Sequence, residues 1–416
     1  MAKNPRAGEL TTANYGWTKP TVGASVDVWG DQININLDGI DSVVNGIQTS
    51  VPAASTTPPL MDGTAAIGAA TKWAKADHVH PTDTSRASVA YVDAKPVAIG
   101  DNRIINGDMR IDQRNNGASG TAISYTVDRW NYVATQPGKM TWQQIASGSV
   151  GFPYALSFTI GTAYALLAGD TFLVNQPIEA DAISDLAWGT ANAQPVTLSF
   201  WVASSLTGTF SGAISNYGNS GVSTRSYPFT FSIPTANTWA RIVITVPGDK
   251  TGTGWLMSGN GVGAYLRFDL GSGATWRAPA NVWGAGNIVG ANGAVSLVAT
   301  QGAVYQLTGV KLEIGSVATP FNRQSLAKSM ADCQRYYQTG KLLWGGQVTS
   351  GAVYYVTSLR PVFMRAASTM AVTSNGSTLF GTPTLADEGT DFFATATASA
   401  TGAGSLSVVF SASAEL

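Results

Sequence analysis

The run VYQLTGVKLEIG, residues 304–315, reads as one long β-strand. Val304, Gln306, Thr308, Val310, Leu312 and Ile314 recur at a period of two, so one face of the strand should carry them all. The same texture extends outward on the N-terminal side. PVTLSFWVAS at 195–204, WARIVITVPG at 239–248 and AYLRFDLG at 264–271 are rich in β-branched and aromatic residues and are bounded by Gly, Asn and Ser. Such runs recur about every ten residues from 101 to 321, with no long helical period between them, which predicts an antiparallel β-sandwich.

Helical spacing flanks the sandwich. Ile33, Leu37, Ile40, Val44 and Ile47 are separated by 4, 3, 4 and 3 residues. Read as heptads, Leu37 and Val44 take position a, and Ile33, Ile40 and Ile47 take position d. Leu at a with Ile at d favours three or four strands over two. A single amphipathic helix on a small core gives the same pattern, and Gly39 and Gly46 weaken either one. A second seam, Leu326, Met330, Cys333 and Tyr337, follows Pro320. The expected order is therefore an attachment segment with a short coiled coil (1–50), a Pro/Ser/Thr-rich neck (51–100), the sandwich (101–321), a short helix (322–338) and a C-terminal β-domain (339–416). The fold class is mainly β. Two seams bracketing a sandwich suit an elongated homotrimer.

Composition narrows the function classes. Charged residues make up 12% of the chain, against about 25% in an average soluble domain. The net charge is −1, so neither a nucleic-acid field nor a polybasic membrane patch is present. The first residues lack the apolar core of a secretory leader, and no apolar run is long enough to insert in a bilayer. The one cysteine, Cys333, excludes an internal disulfide framework.

The two histidines are His78 and His80, in ADHVHPTD at 76–83. In an extended strand, positions i and i+2 point the same way. Three such pairs on a trimer axis would present six imidazoles, an octahedral set suited to Fe, Ni or Co and also open to Zn. An unmetallated, packed pair is the plainer alternative. Trp255, Trp276 and Trp283 lie among glycines and could stack on sugar rings, or else fill the core; core is expected for Tyr265. Acids in the sandwich are few: Asp128, Glu179, Asp181, Asp185, Asp249, Asp269 and Glu313. They are expected to cap turns or to pair with Arg129, Arg241 or Arg267. Glu179 and Asp181 form the closest pair, but no nucleophile elbow, P-loop or HExxH accompanies them, so no catalysis is expected.

Several stretches resemble tailed-bacteriophage tail fibres. YGWTKPTVGASVDVWGDQININLDGID (15–41) is similar to their N-terminal segment, and AAIGAATKWAKADHVHPTDTSRAS to the neck that follows. NRIINGDMRIDQRNNG with YTVDRW (102–130) and VKLEIGSVATPFNRQSLAKSMADCQRYYQ (310–338) resemble the two ends of a jelly-roll module, and RPVFMRAASTM the opening of a C-terminal tip domain. The resemblance implies a homotrimeric receptor-binding fibre of the virion, made in the host cytoplasm. Its N-terminus would dock to a baseplate, tail or neck protein through Tyr15, Trp17 and Trp29, and its β-domains would bind a host-surface glycan. It also supports the metal reading of His78 and His80. A neck, collar or head fibre without a receptor and a polysaccharide depolymerase remain alternatives.

Overall fold

The computed structural model describes residues 13–15, 29–50, 102–148, 151–217 and 222–416, with only the backbone of 29–32. The chain divides into two compact units, Met1–Ala94 and Lys95–Leu416.

In the first unit, α1 (Trp29–Ser50) is a continuous 22-residue helix. Its polar stripe receives Asn14 and Tyr15. Asp41 accepts the backbone N–H groups of Asn14 at 3.0 Å and Tyr15 at 2.9 Å, and the Tyr15 hydroxyl bonds Gln48 one face-repeat further on. Ile33, Ile40, Val44 and Ile47 stay exposed, as do Ile35 and Val43.

The second unit begins with fourteen strands: β1 (Ser124–Val127), β2 (Trp130–Ala134), β3 (Met140–Ala146), β4 (Tyr154–Ile160), β5 (Thr171–Glu179), β6 (Val196–Ser204), β7 (Gly208–Asn216), β8 (Arg225–Ile233), β9 (Ala240–Val246), β10 (Val262–Ser272), β11 (Arg277–Ala278), β12 (Gly284–Ala285), β13 (Gly290–Ala291) and β14 (Val304–Ile314). Seven form one sheet in the order β1-β2-β5-β10-β7-β8-β12, and five form another in the order β3-β4-β14-β6-β9. Every pairing within the two sheets is antiparallel. The chain alternates between the sheets, and a shared aromatic and aliphatic core lies between them, including Trp130, Phe158, Phe200, Phe229, Phe268 and Tyr305.

β14 is the middle strand of the five, and its single-face reading fails halfway along. Tyr305 and Leu307 enter the core, and so do Val310 and Leu312, all at 1% exposure or less. Odd positions point inward before the middle of the strand and even positions after it. The register against β6 shifts between Thr308 and Lys311. Gly309, at φ 61°, supplies the bulge. One extra residue in a strand turns every later side chain to the opposite face. A Cβ on Gly309 would meet the Phe152 ring at 2.6 Å, so the site also requires the missing side chain.

A short helix, α2 (Leu326–Gln334), follows, capped by Ser325, whose hydroxyl accepts the Lys328 N–H. It is shorter than the period over 322–338 suggests. Tyr337 already belongs to β15 (Tyr337–Val348), which opens the C-terminal domain with β16 (Val353–Leu359), β17 (Thr369–Asn375), β18 (Thr384–Asp387), β19 (Asp391–Thr397) and β20 (Gly402–Ser413). Two three-stranded sheets, β15-β20-β17 and β16-β19-β18, enclose a core of Leu342, Phe392, Leu406, Val408 and Phe410. The chain then returns to the sandwich. Glu415 is held by Arg114 at 2.8 Å and by the fully buried Arg129. The ring faces of Tyr337 and Tyr336 lie against these two guanidinium groups, at 3.7 and 3.5 Å.

Candidate functional site

Because strand side chains alternate, each core residue of the seven-stranded sheet has neighbours on the outer face. Trp130 and Tyr132 face inward from β2, so Asn131 and Val133 face outward. Phe172 and Val174 face inward from β5, so Thr171, Leu173 and Asn175 face outward. Leu266 and Phe268 face inward from β10, so Tyr265 and Arg267 face outward. The register aligns Asn131 with Asn175, and Asn175 with Arg267, in one row across three strands. These residues, with Pro177, Trp276, Asn287 and Val289, line a groove of about 230 Å³; Leu416 also borders it.

The floor of the groove is polar, with its two amides open to solvent or ligand. The Asn131 and Asn175 side-chain amides have no hydrogen-bond partner among the described residues, and Thr171 Oγ1 is buried without one. Buried polar groups are normally paired. An unpaired set in a concave site with aromatic walls is the arrangement that binds hydroxyl-rich ligands. The Trp276 indole N–H donates to the Gly169 carbonyl at 2.8 Å, which fixes the ring at the wall. The Arg267 guanidinium lies 4.8 Å from the Tyr265 ring centroid. Burial pulls its pKa down to about 10, so it remains a cation at neutral pH. Asp269, next on the same face, is occupied by Ser211, Ser272, the Gly271 N–H and Arg277.

Of the three tryptophans singled out in the sequence, only Trp276 lines this groove. Trp255 and Trp283 pack edge-on against each other at 5.6 Å and against the buried Trp188 at 4.8 and 5.5 Å. Their indole N–H groups are bound by Asp249 and by the Pro247 carbonyl. They extend the core outward, which is the alternative the sequence left open. Tyr265 differs from expectation: it is half-exposed in the groove. Arg267 also differs, since it pairs with none of the sandwich acids. The missed residues, Asn131, Asn175 and Arg267, carried one weak signal: polar side chains at the alternate positions of apolar strands. A second hollow of about 390 Å³, lined by Phe152, Trp201, Arg241 and Phe321, lies on the opposite sheet and lacks a comparable row of amides.

The other sequence candidates are placed as follows. Cys333 is fully buried by its own chain, and burial pushes its thiol pKa well up. Leu326 is 59% exposed and Met330 half-buried, while Tyr337 sits on a strand. Tyr15 bonds the helix of its own unit. Trp17, the side chain of Trp29, and His78 and His80 lie outside the described residues. Among the described residues no group of three or more His, Cys, Asp or Glu could hold a metal ion. Glu179 is bound by Arg335 at 2.9 Å and flanked by Arg365, and Asp181 accepts the Gly259 N–H, so this closest acidic pair is tied into structural contacts.

The sequence matches no protein-family model and no curated protein. Solved structures that the chain matches in part include the enzymatically active domain of bacteriophage CBA120 tailspike protein 4, with 14% identity over 51% of this chain and a TM-score of 0.28. The match spans only 21% of that tailspike chain. A xylan-binding domain from Paenibacillus barcinonensis is 11% identical over 53% of this chain and 97% of its own, with a TM-score of 0.26. A family 11 carbohydrate-binding module from Clostridium thermocellum, solved with a mixed-linked tetrasaccharide, is 11% identical over 46% of this chain and 91% of its own, with a TM-score of 0.25.

Proposed function

We propose that this chain is a homotrimeric bacteriophage tail fibre that binds a host-surface glycan in the groove on the seven-stranded sheet and docks to the virion by its N-terminal segment. The groove carries the binding half of this reading: unpaired amides of Asn131 and Asn175 stand beside the rings of Tyr265 and Trp276, matching the alternating hydroxyls and C–H faces of a sugar. Trimerisation is supported by surfaces that one chain leaves bare. The seam of α1 is exposed, and β16, at a sheet edge, exposes Val353, Tyr355 and Leu359 at 64, 71 and 80%. Apolar surface so placed marks an interaction site. The virion assignment rests on the N-terminal and neck motifs. We read the groove as binding rather than cleaving, because its lining includes no Asp or Glu side chain to act as acid or nucleophile.

A glycan array probed with the full-length chain tests the binding reading, and light scattering tests the assembly. The expected outcome is a particle of three chains that retains a defined set of sugars. A monomer at micromolar concentration contradicts the fibre. A trimer that retains no sugar favours a neck or collar fibre without a receptor.

A further inference from the structure

Arg267 is 7% exposed and sits in the middle of the polar row, yet no carboxylate among the described residues lies within 4 Å of it. The other closely buried arginines of the sandwich differ: Arg114 and Arg129 meet Glu415, and Arg277 meets Asp269. The partners of Arg267 are all neutral. Nη1 donates to Asn287 Oδ1 at 2.5 Å and to the Ile288 carbonyl at 3.4 Å, and Nη2 donates to Ser223 Oγ at 3.0 Å. A guanidinium has five N–H donors. Nε–H and one Nη2–H therefore have no partner among the described residues. Nε and Nη2 flank the edge on which an arginine takes an oxyanion with two parallel bonds. A buried charge without a counter-ion is costly. The fold holds this one in place with three neutral hydrogen bonds and a ring face, beside a groove with further unpaired polar groups.

We propose that the groove selects an acidic glycan, with an oxyanion of the sugar pairing with Arg267 while Asn131, Asn175 and Thr171 take its hydroxyls. The proposal rests on the glycan-binding reading above and narrows it to charged sugars. Uronic acids, sialic acids and sulfated sugars share the required chemistry, and the substituent distinguishes them.

The test is calorimetric titration of the full-length chain with matched pairs: oligogalacturonate and its carboxyl-reduced form, sialyllactose and lactose, and a sulfated carrageenan oligosaccharide and its desulfated form. At least one acidic member should bind about tenfold or more tightly than its neutral partner, as expected for loss of a charge-assisted pair, and which pair responds identifies the anion. Arg267→Met should abolish that preference. Comparing the two sugars on unaltered protein needs no variant, so a misfolded Arg267→Met cannot confuse the result. Equal binding of acidic and neutral partners overturns the acidic selectivity and leaves the groove reading standing, as does a preference that survives Arg267→Met. Binding to no member overturns both.

Discussion

Single residues in this fold take their character from burial more than from type. Asp128 accepts the Gln113 N–H at 3.0 Å and has Arg114 3.9 Å away, yet loss of water raises its pKa from 3.8 to about 6. The native state then holds the proton more tightly than the unfolded chain does. The group's contribution to stability is greatest below about pH 3.8 and declines as the pH rises through 6. Carboxyl-carbon NMR should show Asp128 titrating near pH 6; a midpoint near 3.8 contradicts the burial argument. Residue identity alone misled in the same way at the tryptophans. Trp255 and Trp283 lie in a glycine-rich stretch, as loop aromatics of a binding site would, but Trp188, far earlier in the sequence, draws them into the core. Arg267 shows the converse: its pairing was the ordinary expectation, and only the three-dimensional arrangement shows that its neighbours are neutral.

At the level of elements, most strands could be read from period and composition, because alternation reports directly which face is buried. β20 is the clearest case, with Leu406, Val408, Phe410 and Ala412 all inward. β14 was read as a strand but with one face throughout, since a period-two pattern cannot register an inserted residue unless the glycine is recognised as a bulge. Gly309→Ala tests that explanation. The left-handed backbone costs a non-glycine residue about 1–2 kcal/mol, and crowding of Phe152 adds about 1–3 kcal/mol. The urea midpoint of the second unit should fall accordingly, and an unchanged midpoint would mean that the bulge does not depend on glycine. The second helical seam was legible only in part. Its period continues into Tyr337 by chance of spacing, while the backbone has already turned into β15 to place that ring on Arg114. The groove was the least legible element. Asn131, Asn175 and Arg267 are far apart in sequence, and only the strand order β2-β5-β10 brings them into one row.

At the scale of the whole molecule, the fibre proposed above would use the exposed stripe of α1 in the first unit and the bare edge of β16 in the second for contacts between copies, and the sandwich groove for the ligand. His78 and His80 belong to the same proposal, since three associated chains would bring six imidazoles together. About one Fe, Ni, Co or Zn per three chains is expected by elemental analysis, lost in the His78→Ala, His80→Ala double variant and weakened below about pH 6, where imidazole protonates. Metal-free wild-type trimer would return the pair to ordinary packing. The central claim is that the row Asn131–Asn175 on the seven-stranded sheet holds the sugar. Each neutral hydrogen bond is worth about 0.5–1.5 kcal/mol, so titrating the best array ligand into the Asn131→Ala, Asn175→Ala double variant should show affinity reduced about tenfold or more, with trimer mass and melting temperature preserved. Affinity equal to that of the unaltered chain would place the sugar elsewhere and contradict the account.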